Sequence, residues 1–220
     1  MWGDLSKKAI LFDLDGTLAD TLADIAFAMN RALRLHGLAE WPVGDYRYLV
    51  GNGAKVLSER AVRDRADLAE IVRADYQAWY ERHDLDRSRP YEGMPEALAV
   101  LGARGVRLCV LSNKPDADTR RVVTHLFPDA RFEVIRGQLP GVPTKPDPAA
   151  ALAIAAEMGL RPADFLYLGD TAVDMTCARR AGMTPVGALW GFRTAEELAE
   201  SGAVRLLSRP GELTDPAIYL

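Results

Sequence analysis

The sequence contains little cysteine and little histidine, and neither residue type forms a recognisable site. Its two cysteines, Cys109 and Cys177, lie far apart, and the 220 residues contain no CxxC pair and no Cys/His metal-ligand spacing. Both thiols are therefore predicted to be buried, in a protein of the reducing cytosol. The three histidines, His36, His83 and His125, are widely spaced and lie outside every motif, which argues against a histidine nucleophile.

The sequence also lacks an excess of positive charge and a long hydrophobic run. Lys and Arg number 27 against 31 Asp and Glu, for a net charge of -4, so nucleic acid and anionic membrane surfaces are not favoured as partners. No segment approaches the roughly 18 apolar residues of a membrane span. The first apolar stretch is interrupted at Asp13, too early for a signal peptide, and we expect a cytoplasmic protein.

What the sequence does contain is a repeated alternation of apolar and helical segments. Hydrophobic residues make up 49% of the chain, enough for one large domain or for a domain with a smaller insert. Short apolar segments at 9–12, 107–111, 132–135, 165–168 and 185–189 each end in a polar or glycine-bearing turn and precede a helical pattern. This alternation predicts an α/β fold with a parallel sheet.

Residues 20–89 interrupt the alternation with helical patterns and no buried strand. Thr21 and Asp24 stand in capping-box spacing at the start of the first helix, and apolar residues from Leu68 to Tyr80 predict the packing face of a later one. The charged residues 82–89 are predicted to be a solvated return. We therefore expect an α/β core domain formed by residues 1–19 and 90–220, with residues 20–89 as an inserted helical domain.

Two carboxylates and a glycine turn follow the first predicted strand. Asp13, Asp15 and Gly16 come directly after the run at 9–12, where open α/β sheets bind their ligands. A carboxylate there can attack phosphorus, and a second one two residues later, on the same side of an extended chain, can move protons. A helix cap or a solvated loop is the alternative for an Asp-rich turn.

Two further polar segments come later in the chain. Ser112 and Asn113 follow the strand at 107–111, where a hydroxyl, an amide and free N–H groups can hold phosphate oxygens; a helix cap is the alternative. Lys145 precedes Pro146 and Pro148, which stiffen the approach to a helix. A lysine in that place can neutralise phosphate and carboxylate charge, although an isolated lysine is more often exposed and idle.

The last polar segment places Asp170 and Asp174 after the strand at 165–168. A spacing of four residues puts both carboxylates on one helix face, where they repel each other unless a cation lies nearby. A hard divalent ion such as Mg²⁺ is a natural explanation. Helix capping by Asp170 is the competing one.

In this order and at these places, the four segments resemble the four motifs of the haloacid dehalogenase superfamily of phosphotransferases. The resemblance runs from residue 12 to residue 174, with the helical insert where that family carries its cap. It implies a Rossmann-like parallel sheet core with an α-helical cap domain. By this resemblance, Asp13 would attack phosphorus to give an aspartyl phosphate, and Asp15 would pass protons to the leaving group and from the attacking water.

The same resemblance implies a metal site and a phosphate site. Asp13, the backbone carbonyl of Asp15 and Asp170 would hold Mg²⁺, and Asp174 would support this shell. The oxygens of the transferred phosphate would be stabilised by Ser112, Asn113 and Lys145, and by the backbone N–H groups near Gly16 and Thr17. Because the dehalogenases of the superfamily lack the second Asp of the first motif, Asp15 favours a phosphate reaction.

A Gly51-Asn52-Gly53 turn opens a helix of the insert and resembles the substrate loop in the cap of phosphoglycolate phosphatases, although an ordinary interhelical turn is the alternative. Lys55 or Arg47 could pair with a substrate carboxylate, with a solvated side chain as the default. Residues 190–193 either border the site or merely end a strand.

The motifs and the resemblance together imply a Mg²⁺-dependent phosphatase that acts on a small phosphorylated metabolite, foremost 2-phosphoglycolate, as a monomer or homodimer. A sugar-phosphate or nucleotide phosphatase and a phosphosugar mutase are alternatives on the same scaffold. A non-catalytic phosphate-binding regulatory domain is a third, against which the complete set of motif carboxylates and Lys145 argues.

Overall fold

The computed structural model describes residues 7–219. Residues 1–6 and 220 lie outside the described residues. The sequence predicts that both segments belong to the core domain and that residues 1–6 do not begin a signal peptide, and the structure does not bear on either prediction. The strands are β1 (Ala9–Phe12), β2 (Ala19–Asp20), β3 (Arg89–Pro90), β4 (Arg107–Pro115), β5 (Phe132–Gln138), β6 (Phe165–Gly169), β7 (Thr184–Ala188) and β8 (Arg205–Leu207). The α-helices are α1 (Leu22–Leu35), α2 (Tyr46–Leu49), α3 (Gly53–Ala61), α4 (Ala69–His83), α5 (Met94–Ala103), α6 (Asp116–Leu126), α7 (Ala149–Glu157), α8 (Ala172–Ala181) and α9 (Ala195–Glu200).

Six of the strands form one parallel sheet in the order β5-β4-β1-β6-β7-β8. β1 lies inside the sheet, where Phe12 is paired with Val110 of β4 on one side and with Leu168 of β6 on the other. The predicted α/β fold with a parallel sheet is confirmed. Because parallel strands end at a common edge, the polar segments that follow β1 and β6 and those that end β4 are brought together there.

The two faces of the sheet bury separate hydrophobic clusters, as expected for a parallel sheet covered on both sides. In β1, Ile10 and Phe12 pack with residues of α5 and α6, whereas Ala9 and Leu11 pack with residues of α7 and α8. Both cysteines lie in the second cluster and are buried as free thiols, which confirms their predicted burial. No helix among residues 7–219 is both long enough and apolar enough to cross a bilayer.

Helices α1 to α4 form the insert and bury a third cluster of their own, which includes Met29, Leu33, Val72 and Tyr76. Phe192, from the loop after β7, also belongs to this cluster. The chain passes between the sheet and the insert through β2 and β3, which pair antiparallel. The insert therefore packs as a helical unit and contacts the rest of the molecule near the carboxyl edge of the sheet.

The predicted capping box at the start of α1 is wrong. The hydroxyl of Thr21 donates to Asp15 Oδ1 at 2.6 Å and makes no cap hydrogen bond. The carboxylate of Asp24 instead accepts hydrogen bonds from the backbone N–H groups of Arg87 and Ser88 and from the Ser88 hydroxyl. Both side chains are thus used by distant parts of the chain, which local spacing does not reveal.

The prediction that residues 82–89 form a solvated return is also wrong in part. Asp84 and Ser88 are buried, because Asp84 pairs with Arg121 of α6 and Ser88 bonds to Asp24. In the predicted packing stripe of α4, Ile71 is half exposed. The strand β8 was not predicted, since its three residues form a short edge strand with little apolar pattern.

Candidate active site

Four buried side chains from distant segments meet at the carboxyl edge of the sheet. The ammonium of Lys145 lies 2.8 Å from Asp13 Oδ1 and 2.7 Å from Asp174 Oδ1. Asp170 follows β6 and is fully buried beside them. The structure thus brings together residues that the sequence predicted to act together, although they are up to 161 positions apart in the chain.

The three aspartates of this group supply a candidate metal site. One carboxylate oxygen each from Asp13, Asp170 and Asp174 lie within 4.8 Å of one another. Burial raises the pKa of Asp13 to about 7, with a further contribution from Asp174 and opposition from Lys145. The pKa of Asp170 is likewise raised by burial and by the charge of Asp13. Three carboxylates against one ammonium leave an excess of negative charge, so this hard oxygen donor set fits a divalent cation.

Asp170 is held in place by two hydrogen bonds, and its carboxylate lies close against Gly16. Its Oδ1 accepts a hydrogen bond from the Thr17 hydroxyl at 3.1 Å, and its Oδ2 accepts one from the Phe192 N–H at 2.8 Å. Gly16 has a φ of +87°, and a Cβ at this position would collide with the Asp170 carboxylate. Position 16 therefore needs glycine both for its backbone conformation and for the close approach of Asp170.

Asp174 joins the start of α8 to Lys145. The N–H and hydroxyl of Thr171 donate to Asp174 Oδ2, in a capping box with Thr171 as the N-cap residue, while Oδ1 accepts from Lys145. Capping by Asp170, the alternative considered from the sequence, is therefore not what the structure contains. Asp174 caps its helix and at the same time positions the lysine.

The side chain of Asn113 connects neighbouring segments through both its amide nitrogen and its amide oxygen. Its Nδ2 donates to the carbonyl oxygens of Gly51 and Lys145, each at 3.0 Å, and its Oδ1 accepts from the Lys145 N–H at 2.9 Å. Asn113 thereby fixes the backbone of Lys145 and the Gly51 turn of the insert. Ser112 lines the adjacent cavity, and its Oγ accepts a hydrogen bond from the Lys114 N–H.

The sequence did not predict the roles of Lys114, which contacts Asp15, and of Tyr80, which contacts Lys114. The Lys114 ammonium donates to Asp15 Oδ1 at 2.7 Å and to the hydroxyl oxygen of Tyr80 at 2.6 Å. Despite burial, which opposes the charged form, nearby Asp15 raises the pKa of Lys114. A signal was present, because Lys114 follows Ser112 at the spacing by which Asp15 follows Asp13. For Tyr80, its helical spacing predicts only a packing role.

A cavity lies between the sheet edge and the insert. The sheet side supplies its polar floor, and α1, α3 and α4 supply a more apolar wall. Gly51 and Gly53, with φ values of +110° and +83°, bring backbone close to this space. The residues that line the cavity are Asp13, Asp15, Ile25, Val50, Gly51, Gly53, Ala54, Leu57, Tyr76, Gln77, Tyr80, Ser112, Asn113, Lys114, Pro115, Asp118 and Lys145.

Other predicted binding residues lie around this cavity rather than in it. The Asn52 side chain accepts a hydrogen bond from Arg60, and Thr17 uses its hydroxyl on Asp170. Lys55 is 78% exposed with Glu59 as its nearest ion-pair partner at 4.0 Å, and Arg47 is exposed. Neither of these two cations lines the cavity.

Residues 190–193 border the site, which decides between the two interpretations left open by the sequence. The indole N–H of Trp190 donates to the Thr17 carbonyl at 2.9 Å. The Arg193 guanidinium donates to the Val50 carbonyl at 3.2 Å, directly before the Gly51 turn. The loop after β7 therefore contacts both the first motif and the insert.

A parallel α/β core with a buried carboxylate and lysine cluster at its edge, facing a helical insert, contains the groups that a phosphate reaction with a carboxylate nucleophile requires. The chain belongs to the haloacid dehalogenase-like hydrolase family, whose model matches residues 10–188. It is a phosphatase of that family, a phosphoric monoester hydrolase acting on a small phosphorylated substrate. The family predicted from the sequence is thus confirmed.

Relatives of known structure or activity cover nearly the whole chain. The phosphoglycolate phosphatase of Aquifex aeolicus is 31% identical over 210 residues, covering 94% of each chain. The N-acetylmuramic acid 6-phosphate phosphatase of Pseudomonas aeruginosa is 32% identical over 212 residues, covering 94% of this chain and 93% of its own. The structure of a predicted phosphoglycolate phosphatase from Haemophilus somnus superposes with a TM-score of 0.87 at 30% identity, covering 94% of this chain and 96% of that one.

Proposed function

We propose that this phosphatase requires Mg²⁺ and hydrolyses 2-phosphoglycolate to glycolate through an aspartyl phosphate on Asp13. The observation that carries the proposal is the buried Asp13 carboxylate, held 2.8 Å from Lys145 in a cluster with Asp170 and Asp174. The similarity to phosphoglycolate phosphatases over 94% of the chain supports the choice of substrate.

Of the two carboxylate oxygens of Asp13, Oδ1 is held by neighbouring groups, and Oδ2 has no hydrogen-bond donor within residues 7–219. The Leu14 N–H and the Lys145 ammonium both contact Oδ1, at 2.7 and 2.8 Å. We therefore assign nucleophilic attack to Oδ2: its bond to phosphorus forms while the bond from phosphorus to the leaving oxygen breaks. Ser112 and N–H groups near Gly16 and Thr17 would donate to the phosphoryl oxygens, and the positive charge of Lys145 would offset the negative charge on them.

Asp15 is suited to move the protons of both half-reactions. Its Oδ1 accepts hydrogen bonds from Thr21 and Lys114, which leaves Oδ2 to carry the proton toward the cavity. In the first half-reaction this proton passes to the departing alkoxide. In the second, Asp15 takes a proton from the water that attacks the phosphorus of the aspartyl phosphate, the bond from phosphorus to Asp13 Oδ2 breaks, and inorganic phosphate leaves.

Asp13 and Asp170 would hold Mg²⁺ through their carboxylates, as would Asp15 through its backbone carbonyl, with Asp174 in support. When bound, Mg²⁺ would polarise a phosphate oxygen and offset the buried negative charge. Asp174 accepts from Lys145 through Oδ1 and from Thr171 through Oδ2, so it would also support the metal site by holding Lys145 in position. The insert, joined to the core by Asn113 and Arg193, would shield the reacting groups from bulk water while leaving room for the attacking water molecule.

Steady-state phosphate release tests the proposal on a panel of substrates, each with and without Mg²⁺. The panel contains 2-phosphoglycolate, N-acetylmuramic acid 6-phosphate, sugar phosphates, nucleotides and pyrophosphate. We expect 2-phosphoglycolate to give the highest kcat/KM and to require the metal. Preference for N-acetylmuramic acid 6-phosphate would favour the activity named for the Pseudomonas relative, and isomerisation without phosphate release would favour a mutase.

A further inference from the structure

We propose that Lys114 recognises a carboxylate on the leaving group, so that the preferred substrates are phosphate esters of α-hydroxycarboxylates. This proposal rests on the phosphatase function proposed above and assigns its specificity to one residue. It also predicts which of two carboxylate-bearing compounds, 2-phosphoglycolate and N-acetylmuramic acid 6-phosphate, fits the cavity.

Two lysines line the cavity among the described residues, and they differ in what their ammonium groups contact. Lys145 donates to Asp13 Oδ1, Asp174 Oδ1 and the Leu111 carbonyl, which uses all three of its N–H bonds. Lys114 donates to Asp15 and Tyr80 only, so that its third N–H has no acceptor within residues 7–219. Lys114 is therefore the cavity lysine with a donor left for a ligand.

Tyr80 adds a second donor beside this ammonium. Its hydroxyl oxygen accepts from Lys114 at 2.6 Å, and its own proton finds no acceptor in the described part of the chain. Burial raises the pKa of Tyr80, so the phenol keeps that proton at neutral pH. An ammonium and a neutral hydroxyl side by side form a suitable site for a carboxylate, because each oxygen can accept a charge-assisted or neutral hydrogen bond.

The carboxylates near Lys114 do not use its remaining N–H. Asp15 accepts one N–H of Lys114 at 2.7 Å. Asp118, which also lines the cavity, is paired with Arg121 instead. A substrate carboxylate could therefore accept the third N–H of Lys114.

The position of Lys114 limits how far this carboxylate can lie from the ester. The leaving oxygen must reach Asp15, and Lys114 contacts the same carboxyl group. In 2-phosphoglycolate a single carbon separates the ester oxygen from the carboxylate, which suits this proximity. In N-acetylmuramic acid 6-phosphate the carboxylate belongs to the lactyl group on C3, across the sugar ring from the phosphorylated C6, and does not.

The test compares a carboxylate substrate with its neutral counterpart in matched variants. 2-Hydroxyethyl phosphate replaces the carboxylate of 2-phosphoglycolate by a hydroxymethyl group. Lys114→Met is expected to slow both substrates through Asp15, with an additional loss of about 10- to 100-fold in kcat/KM on 2-phosphoglycolate. Lys55→Met removes the same charge from an exposed helix position and is expected to leave the ratio unchanged.

A binding measurement keeps the test independent of turnover. Calorimetry compares 3-phosphonopropanoate with propylphosphonate, which lacks the carboxylate, in wild type, in Lys114→Met and in Lys114→Gln, each checked for folding by circular dichroism. We expect wild type to bind the carboxylate compound at least about tenfold more tightly and both variants to lose this difference. Equal affinities in wild type, or a difference that survives both substitutions, would overturn the role of Lys114.

The kinetic outcomes separate this proposal from the function on which it rests. If both substrates lose activity equally in Lys114→Met, the residue only orients Asp15 and the recognition role is wrong. If wild type rejects 2-phosphoglycolate but hydrolyses other phosphomonoesters, the proposed function fails. In that case, the difference in affinity between 3-phosphonopropanoate and propylphosphonate, measured by calorimetry, still decides whether Lys114 selects carboxylates.

Discussion

The ammonium of Lys145 lies 2.8 Å from Oδ1 of Asp13, and this contact joins the end of β1 to the segment that precedes α7. Both groups are buried, so neither is compensated by water. Burial opposes the charged form of Lys145, but the charges of Asp13 and Asp174 outweigh it and raise the pKa of the lysine. The proposed nucleophile and the cation beside it therefore depend on each other.

Replacing Lys145 by methionine is expected to lower kcat at least about 100-fold. It should also reduce the free energy of unfolding in EDTA by about 3 to 5 kcal/mol, because buried carboxylates lose their partner. Enzyme kinetics and denaturant titration measure the two effects. Lys8→Met, at an exposed lysine, serves as the control. Wild-type stability and activity in Lys145→Met would show that the contact is dispensable.

Gly16→Ala is expected to reduce activity at least about 100-fold, because a methyl group there displaces the Asp170 carboxylate. The matched control is Gly37→Ala. Gly37 also has a positive φ, of +67°, but nothing lies within 4 Å of the added Cβ. This control should cost about 1 to 2 kcal/mol of stability and leave kcat unchanged. Equal activity in the two variants would contradict the role given to the close approach at Asp170.

Asp24→Ala is expected to destabilise the protein by about 2 to 4 kcal/mol, because three donors from Arg87 and Ser88 lose their acceptor. Denaturant titration measures the change. Asp67→Ala removes an exposed carboxylate paired with Arg65 and should change stability by less than about 1 kcal/mol. If Asp24→Ala were as harmless as its control, the buried connection between α1 and the return from the insert would not contribute to stability.

Asn52→Ala is expected to change the preference among substrates more than the rate at which the aspartyl phosphate is hydrolysed. The side chain of Asn52 accepts from Arg60 and holds the turn whose flanking residues, Gly51 and Gly53, line the cavity. Its loss would loosen the wall that meets the leaving group. kcat/KM across the substrate panel and single-turnover dephosphorylation measure the two effects. Proportionate losses on every substrate would argue against recognition by this turn.

The sheet and the approximate location of the chemistry were predictable from the sequence. Buried parallel strands are continuous apolar runs, so β1 and β6 stood out, and each is followed directly by a carboxylate. Parallel strands that share an edge bring Asp13 and Asp170 together without any further information. This is why the fold class and the family followed from a few short motifs.

Contacts between side chains from distant segments were not predictable in the same way. Thr21 and Asp24 have the spacing of a capping box, yet Asp15 and Ser88 compete successfully for their hydrogen bonds. Tyr80 has the helical spacing of a packing residue, and only the approach of Lys114 makes it polar lining of the cavity. Local patterns describe which face a residue occupies, whereas its partner depends on the folded chain.

The most direct test of the account is the rate of phosphate release from 2-phosphoglycolate by Asp13→Asn in the presence of Mg²⁺. Asparagine keeps the shape of the side chain but cannot attack phosphorus as a carboxylate does. The account predicts that this variant folds with wild-type circular dichroism and releases no phosphate above the background rate. Phosphate release by Asp13→Asn at a rate near that of wild type would contradict the central claim that Asp13 is the nucleophile.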